Sequence, residues 1–244
     1  MATAKIEERE AIVLSRIPQK ERDAMVRCLG KDGFFSFYAH GAFKMGSPTA
    51  SSGQELARSA FLLTVSGSGA LTLKEGRIRH LYAPAGGLEG MLVAQLLLEY
   101  CLKAVNPEDG PALYPLLEAS LEALEQNADP YSVAIMFLSR AAKIGGYGLE
   151  VERCVVCGER RPIGSLSLVQ GGFVCTECMG PVEALPTPKG ELRILYHSFL
   201  CPLEDLRRVT YPKEDVPGVL RALLTHVEEQ SGVRLKALSP IFRA

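Results

Sequence analysis

Four cysteines are the residues whose type and spacing most clearly indicate chemistry. Cys154 and Cys157 form one Cys-x-x-Cys pair, Cys175 and Cys178 form a second, and seventeen residues separate the pairs. Two such pairs at this separation are typical of a four-cysteine zinc site, whereas a redox site would need a single pair in a thioredoxin-like context. Four thiolates complete the coordination shell of zinc and leave no position for water or substrate. We therefore expect one structural Zn²⁺ ion and no catalytic metal.

The segment between the two pairs has the pattern of a β-hairpin. The runs "SLSLV" and "FVC" alternate on either side of Gln170-Gly171-Gly172, so the hairpin would carry the second pair. Gly158 follows the first pair and can adopt the left-handed backbone that such a turn needs. The remaining cysteines stand in apolar contexts and are predicted to be small core residues; they are Cys28, Cys101 and Cys201.

Length and composition limit the number of domains and argue against a membrane-spanning or secreted protein. The chain has 244 residues, of which 47% are hydrophobic, enough for one large domain or two to three small ones. The sequence contains no run that is long and apolar enough to span a bilayer, and its start lacks the apolar core of a signal peptide. We expect a cytoplasmic protein whose cysteines stay reduced.

Charge is unevenly distributed along the chain. Residues 1–83 carry 12 Lys and Arg against 8 Asp and Glu, whereas residues 84–150 carry 3 against 9. Residues 151–181 carry 3 against 3, and residues 182–244 carry 9 against 8. A basic first third and an acidic middle indicate two surfaces with different partners. Ordinary scatter of surface charge would give similar counts, so the counts alone do not separate the two interpretations.

The first third of the chain has the pattern of β structure. Short apolar or alternating runs are separated by turn residues, and Lys31-Asp32-Gly33 predicts a hairpin in which Gly33 takes a positive φ angle. The five predicted strands lie in "AIVLSRI", "DAMVRCLG", "FFSFYAHGAF", "ARSAFLLTVSGSG" and "ALTLKEGRIRHLY". Five short strands in about eighty residues fit a small closed barrel of the oligonucleotide-binding (OB) type.

Helical periodicity replaces the β pattern after the barrel. Residues 88–105 are apolar on almost all faces, which is typical of a helix buried on most sides, and two further apolar stripes follow before Gly145-Gly146. We therefore predict an α+β multidomain protein. Its predicted parts are an OB-fold nucleic-acid-binding domain at 1–83, a helical domain at 84–150, a zinc module at 151–181, and a C-terminal helical segment at 182–244 that packs on the helical domain.

The sequence lacks the common catalytic motifs. It contains no phosphate-binding Gly-x-x-x-x-Gly-Lys loop, no Gly-x-Ser-x-Gly elbow and no paired aspartates for metal-assisted phosphoryl transfer. Its four histidines form no metal-type pair. These observations favour a binding protein over an enzyme.

A barrel of this type binds nucleic acid through a positive groove and aromatic platforms. Phe35, Phe37 and Tyr38 are interleaved with the basic residues of the first third, but a small barrel needs apolar filling, so Phe35 and Phe37 are predicted to be core residues. Contact is therefore expected through charge rather than stacking. The candidate nucleic-acid-binding residues are Arg16, Lys20, Arg22, Arg27, Lys31, Lys44, Arg58, Arg77 and Arg79.

The order of these parts resembles the bacterial recombination mediator family RecO over nearly the full length. The motifs that carry the resemblance are "EAIVLSRI" with Glu21 soon after, "GFFSFYAHGAF", "GGYGLEVERCVVCGE" and the ending "RLKALSPIFR". The family loop after the third strand is often rich in Lys and Arg, whereas residues 44–54 hold only Lys44 here. The resemblance implies binding of single- and double-stranded DNA, annealing of complementary strands, and loading of recombinase together with RecR. It also implies that the cytoplasmic protein is associated with the nucleoid.

The resemblance also implies a contact with the acidic tail of the single-strand-binding protein. Such a tail ends in apolar residues and needs an apolar pocket with a cation at its rim. Arg140 and Lys143 are three residues apart on one predicted helix and could clamp the terminal carboxylate. The alternative is that both are solvated charges at a helix C-terminus. For the whole protein, the alternatives are a zinc-ribbon adaptor between proteins and an RNA-binding factor built on the same barrel.

Overall fold

The structure is a computed structural model that describes residues 5–19, 21–44, 51–238 and 240. It forms two compact units. Unit 1 comprises Met1–Ala83 and Asn106–Glu118, and unit 2 comprises Pro84–Val105 and Ala119–Ala244. Strands dominate the first third of the chain and helices most of the rest, which confirms the α+β class. The four-part division of the chain stays a prediction.

Unit 1 is built on a closed five-stranded barrel with the strand order β1-β2-β3-β5-β4. Neighbouring strands are antiparallel except at the closure, where β3 pairs with β5 in parallel. The strands are β1 (Lys5–Pro18), β2 (Ala24–Gly30), β3 (Gly33–Ala39), β4 (Ala57–Val65) and β5 (Leu71–Leu81). Strand β1 begins well before the predicted "AIVLSRI" run because its first residues continue the antiparallel pairing with β4.

The interior of the barrel is filled by alternate residues of the strands. Phe37 is buried and lies 4.7 Å from Phe61 between ring centroids, and Phe35 packs against the same cluster. The prediction that Phe37 belongs to the core is therefore confirmed, whereas Phe35 is only partly buried and has the Arg9 guanidinium over its ring. Gly33 has a φ of 109° in the turn between β2 and β3, as the hairpin prediction requires.

A short helical segment from the middle of the chain also belongs to unit 1. It comprises a 3₁₀ turn at Pro107–Asp109 and the first half of α2 (Gly110–Glu125). A Cβ atom added at Gly110 would meet the Phe34 ring at 2.9 Å, so the absence of a side chain lets the helix start lie against β3. Periodicity predicted this helix correctly, but periodicity carries no information about the surface that a helix packs against.

Unit 2 contains α1 (Gly87–Lys103), the second half of α2, α3 (Pro130–Ile144), α4 (Lys189–Leu200) and α5 (Val216–Ser231). Helix α3 is the centre of the unit, because it packs against α1, α4 and α5 and is buried without a break from Ser132 to Ser139. Asp129 caps its start by accepting the Ser132 N–H at 2.9 Å. None of the helices among the described residues has the length and apolarity needed to cross a membrane.

The exposure of the first turns of helix α1 differs from the expectation drawn from the sequence. Its apolar residues predicted burial on most sides, yet Leu88 is 73% exposed and Met91 is 42% exposed. Both residues lie in the first turns of the helix, one turn apart, whereas the following turns are buried at Leu96, Leu97 and Leu98. Composition alone does not show where along a helix the packing begins.

Candidate metal centre and nucleic-acid surface

The four cysteines of the two pairs lie together in unit 2. Strands β6 (Ile163–Ser167) and β7 (Gly172–Cys175) form the predicted hairpin, and β7 ends on the first cysteine of the second pair. The four Sγ atoms lie within 4.8 Å of one another, and the Sγ atoms of Cys157 and Cys175 are 4.0 Å apart. Tetrahedral zinc with Zn–S bonds of about 2.3 Å would hold its sulfurs about 3.8 Å apart. The four sulfurs are therefore placed to hold one metal ion.

Backbone N–H groups favour the thiolate form of one of these cysteines, which is the form that binds a cation. Burial opposes ionisation of Cys154, but hydrogen bonds from the backbone N–H groups of Cys175, Cys157 and Val156 outweigh it and lower its pKa to about 6. Hydrogen bonding within the cluster, first to Cys175, raises the pKa of Cys178 to about 12. One thiolate thus makes it harder to ionise the next, and a bound cation would relieve that repulsion.

The backbone around the cluster has the turns that the sequence predicted. Gly158 has a φ of 76°, and its N–H donates to Cys154 O at 2.8 Å. The Cys178 N–H donates to Cys175 O at 3.0 Å in the second turn. Cys154, Val174 and Cys175 form the buried cluster of this segment, and Phe173 of β7 is its one other buried apolar residue among the described residues. Such a small core favours a structural role for the metal centre.

The other cysteines are core residues, as predicted. Cys28, Cys101 and Cys201 are at most 6% exposed and lie outside the four-sulfur cluster. Burial raises the pKa of all three thiols, so they stay protonated.

Three of the predicted DNA-binding cations meet at one end of the barrel. Arg16 near the end of β1 places its guanidinium 4.6 Å from the ring centroid of Phe43. The Phe43 N–H donates to Arg22 O at 3.1 Å, and Lys44 follows directly in the chain. We call Arg16, Arg22, Phe43 and Lys44 the Phe43 end of the barrel. Arg22 and Lys44 are exposed and form no ion pair within the part of the chain that the structure describes.

Asp23 holds the two loops of the Phe43 end together. Its carboxylate accepts the Gly41 N–H at 2.9 Å and the Tyr38 O–H at 2.7 Å, and the His40 ring lies 3.4 Å away. These hydrogen bonds, led by the Gly41 N–H, lower the pKa of Asp23. The sequence analysis missed this residue, although an aspartate before a strand is a frequent turn anchor.

A second set of predicted cations lies among carboxylates. Arg58 forms an ion pair with Glu118 at 2.6 Å, and both Arg58 and Arg79 approach Glu10 at 3.7 and 4.0 Å. The strand register places Arg77 on the same outer side as Glu10. We call Glu8, Glu10, Arg58, Arg77 and Arg79 the Glu10 face. Arg58 and Arg79 are partly neutralised, so this face attracts phosphate less strongly than the Phe43 end.

The remaining predicted cations of the barrel have different surroundings. Arg27 is exposed on the outer side of β2, between Ser15 and Ser36 on the neighbouring strands, and forms no ion pair within the described residues. Lys31 is exposed in the turn after β2, beside a shallow pocket that Glu8 and Glu10 also line. Lys20 lies outside the described residues.

The two predicted partner-binding residues on α3 differ in exposure. The Arg140 guanidinium donates to Cys201 O at the end of α4, and its Nε is buried. Lys143 is exposed in the last turn of the same helix. The structure therefore leaves Lys143 as the more accessible cation of the pair.

Comparison with known proteins identifies the family. The model of the C-terminal part of recombination protein O matches residues 86–239, which is more than half of the chain. The chain belongs to the RecO family. The DNA repair protein RecO of Listeria monocytogenes serotype 4a (strain HCC23) is 24% identical over 236 residues, covering 95% of this chain and 92% of that protein. The DNA repair protein RecO of Bacillus cereus (strain AH187) is 25% identical over 236 residues, 93% of each chain.

The RecO match and the two relatives cover different parts of the structure. The family model covers α1 to α5 together with the four-cysteine segment. The relatives extend across the barrel as well, because they cover more than nine-tenths of the chain. Membership of the RecO family confirms the resemblance that the sequence motifs indicated.

Proposed function

We propose that this RecO-family protein is a DNA repair and recombination mediator. It binds single- and double-stranded DNA, anneals complementary strands, and helps load recombinase onto DNA covered by single-strand-binding protein. Membership of the RecO family is the single observation that carries this proposal, because its full-length relatives are named as DNA repair proteins. The protein acts by binding and not as an enzyme.

The barrel is the proposed DNA-binding domain, of the OB type. The support is its closed five-stranded topology and the exposed cations at the Phe43 end. Arg22, Arg27 and Lys44 form no ion pair within the described residues, so their charges are available to phosphate. Arg58, Arg79 and Lys31 contribute less, because carboxylates of the Glu10 face lie near them. Arg77 is exposed on the same face and forms no ion pair within the described residues.

Zinc is the proposed occupant of the four-cysteine site. Four thiolates in two Cys-x-x-Cys turns form a donor set that zinc prefers, and the complete shell leaves no open position for catalysis. Zinc would hold the hairpin β6–β7 against the turn at Cys154 and Cys157. Its proposed role is structural.

Unit 2 is the proposed site for protein partners. RecR and the acidic tail of the single-strand-binding protein are the partners that the family resemblance implies. We place the tail at the edge of α3, where Lys143 supplies the accessible cation and Arg140, bonded to Cys201 O, orders the neighbouring backbone. A rim cation of this kind attracts an acidic tail while neighbouring apolar side chains accept its final residues.

Binding measurements with the full chain test the proposal. Fluorescence anisotropy is recorded with a single strand, a duplex and an RNA strand of equal length and mixed sequence, at several salt concentrations. We expect binding to both DNA forms with little sequence preference and a steep decrease with salt. Preference for RNA would favour the RNA-binding factor, and no binding to any nucleic acid would favour the adaptor between proteins; either result contradicts the proposal.

A further inference from the structure

Phe43 is an exposed aromatic residue in the turn that follows β3 of the barrel. The residue is 39% exposed, although Arg16 lies over its ring. Phe37 and Ala42 are buried in the core cluster, and Phe35 packs against that cluster while partly buried. The exposed ring is therefore not explained by the filling of the barrel.

The backbone turn after β3 accounts for the outward direction of the ring. Gly41 has a φ of 64°, and the Lys44 N–H donates to Gly41 O at 3.0 Å. This tight turn gives the inward position to Ala42 and leaves the next side chain outside. Asp23 holds Gly41, and the Arg22 carbonyl holds the Phe43 N–H, so two anchors fix the ring at the tip of the β1–β2 hairpin.

The surroundings of the ring match one chemical class of ligand. Cations beside an exposed aromatic ring bind a phosphate backbone while the ring stacks on a base. Arg16 contacts the ring itself, and exposed Arg22 and Lys44 flank it. A single strand can turn a base onto the ring, whereas the bases of a duplex are already paired and stacked in its interior.

We propose that Phe43 is a base-stacking residue that gives the barrel its contact with the bases of single-stranded DNA. The proposal rests on the proposed DNA binding of the barrel and goes beyond the charge contacts expected from the sequence. Arg16 is a positioning residue, because its guanidinium lies over the ring and fixes its orientation. Asp23 positions the same ring through Gly41.

Two substitutions of Phe43 distinguish stacking on a base from a packing role of the side chain within the protein. Phe43→Leu keeps an apolar side chain of similar volume but removes the π face, and Phe43→Tyr keeps the ring. We expect Phe43→Leu to weaken binding of a single strand by about 5- to 150-fold, from the range measured for loss of one base–aromatic contact. Binding of a duplex of equal length should change less than about twofold, because phosphate contacts dominate there. Phe43→Tyr should keep the wild-type affinity for both.

A spectroscopic measurement reports the stacking itself. A single strand carries one fluorescent adenine analogue whose emission is quenched when it stacks. Wild-type protein and Phe43→Tyr should quench the analogue further on binding, whereas Phe43→Leu at saturating concentration should not. The salt dependence of single-strand binding should be the same for all three, because none of the substitutions changes charge.

Several outcomes would overturn the proposal. Equal losses for single strand and duplex, together with a lower melting temperature of Phe43→Leu, would make Phe43 a packing residue of the hairpin tip. Unchanged single-strand affinity would exclude stacking at this ring. Absence of DNA binding by the wild-type chain would instead contradict the proposed function as well, so the two failures are distinguishable.

Discussion

Substitution of Cys154 should unfold the four-cysteine segment locally. Among the described residues, the segment 154–178 buries only four apolar side chains, which are those of Cys154, Phe173, Val174 and Cys175. Burial of a side chain such as Val174 contributes about 1.5–3 kcal/mol, whereas ordering the chain costs about 1–2 kcal/mol for each residue. Zinc binding contributes about 10–16 kcal/mol to folding in small four-ligand sites. We therefore expect Cys154→Ser to remove most of the stability of this segment.

The structure also predicts a ranking of the cysteine variants. Cys154 is fully buried and its sulfur accepts the Cys175 N–H at 3.4 Å. A serine there therefore removes both a metal ligand and the sulfur that accepts this hydrogen bond. Cys157 is exposed, and water can take its place at the metal. Cys157→Ser should therefore be milder than Cys154→Ser. Cys201→Ala is the matched control, since Cys201 is a buried thiol outside the cluster.

Elemental analysis and hydrogen exchange are the assays for this prediction. Wild-type protein should contain about one zinc ion per chain, as a closed four-thiolate site requires. Cys154→Ser should lose the metal and expose the amides of β6 and β7 to fast exchange, while Cys201→Ala keeps both metal and protection. A wild-type protein without metal and with a reversible Cys154–Cys157 disulfide would refute the reasoning. Slow hydrogen exchange of the β6 and β7 amides after removal of the metal would also refute it.

Two further predictions concern a partner and pH. Lys143→Ala should weaken binding of an acidic tail peptide about two- to fivefold, as expected for one rim charge. Lys103→Ala is the control and should leave binding unchanged, because the Lys103 amine is already paired with Glu99 at 2.7 Å. Equal effects of the two substitutions would place the peptide elsewhere. Hydrogen bonds lower the pKa of Asp23 from its ordinary value of 3.8, so its stabilising effect is complete above that value and is lost as the pH falls through the lowered pKa. The melting temperature of Asp23→Asn should therefore lie below that of wild type at neutral pH and approach it in acid, and a difference independent of pH would contradict this role.

Rules that act over a few neighbouring residues predicted most elements of the fold. The positive φ angles at Gly33 and Gly158 and the hairpin between the cysteine pairs follow from turn chemistry that acts over a few residues. The ends of α3 follow in the same way from Asp129 and Gly145. Cysteine spacing predicted the cluster because each pair needs only one turn to point two sulfurs inward.

Properties that depend on distant contacts could not be predicted in this way. The pairing of Arg58 with Glu118 joins residues sixty positions apart, and nothing in the sequence near Arg58 indicates that its charge is partly neutralised. The same is true of Glu10, which lies near two arginines of other strands. Phe43 was one of several aromatic residues in an apolar run, and only the turn at Gly41 distinguishes it from those inside the barrel.

The salt dependence of DNA binding by charge-reversed variants tests the central claim most directly. For single strands, each phosphate contact contributes about 0.7 to the slope of log affinity against log salt. Arg22→Glu and Arg27→Glu in the full chain should each weaken binding and flatten the slope by about this amount. Arg160→Glu, an equal change of charge at an exposed arginine of the four-cysteine segment, should leave the slope unchanged. Wild-type affinity and slope in both barrel variants would contradict the account and move the DNA surface off the barrel.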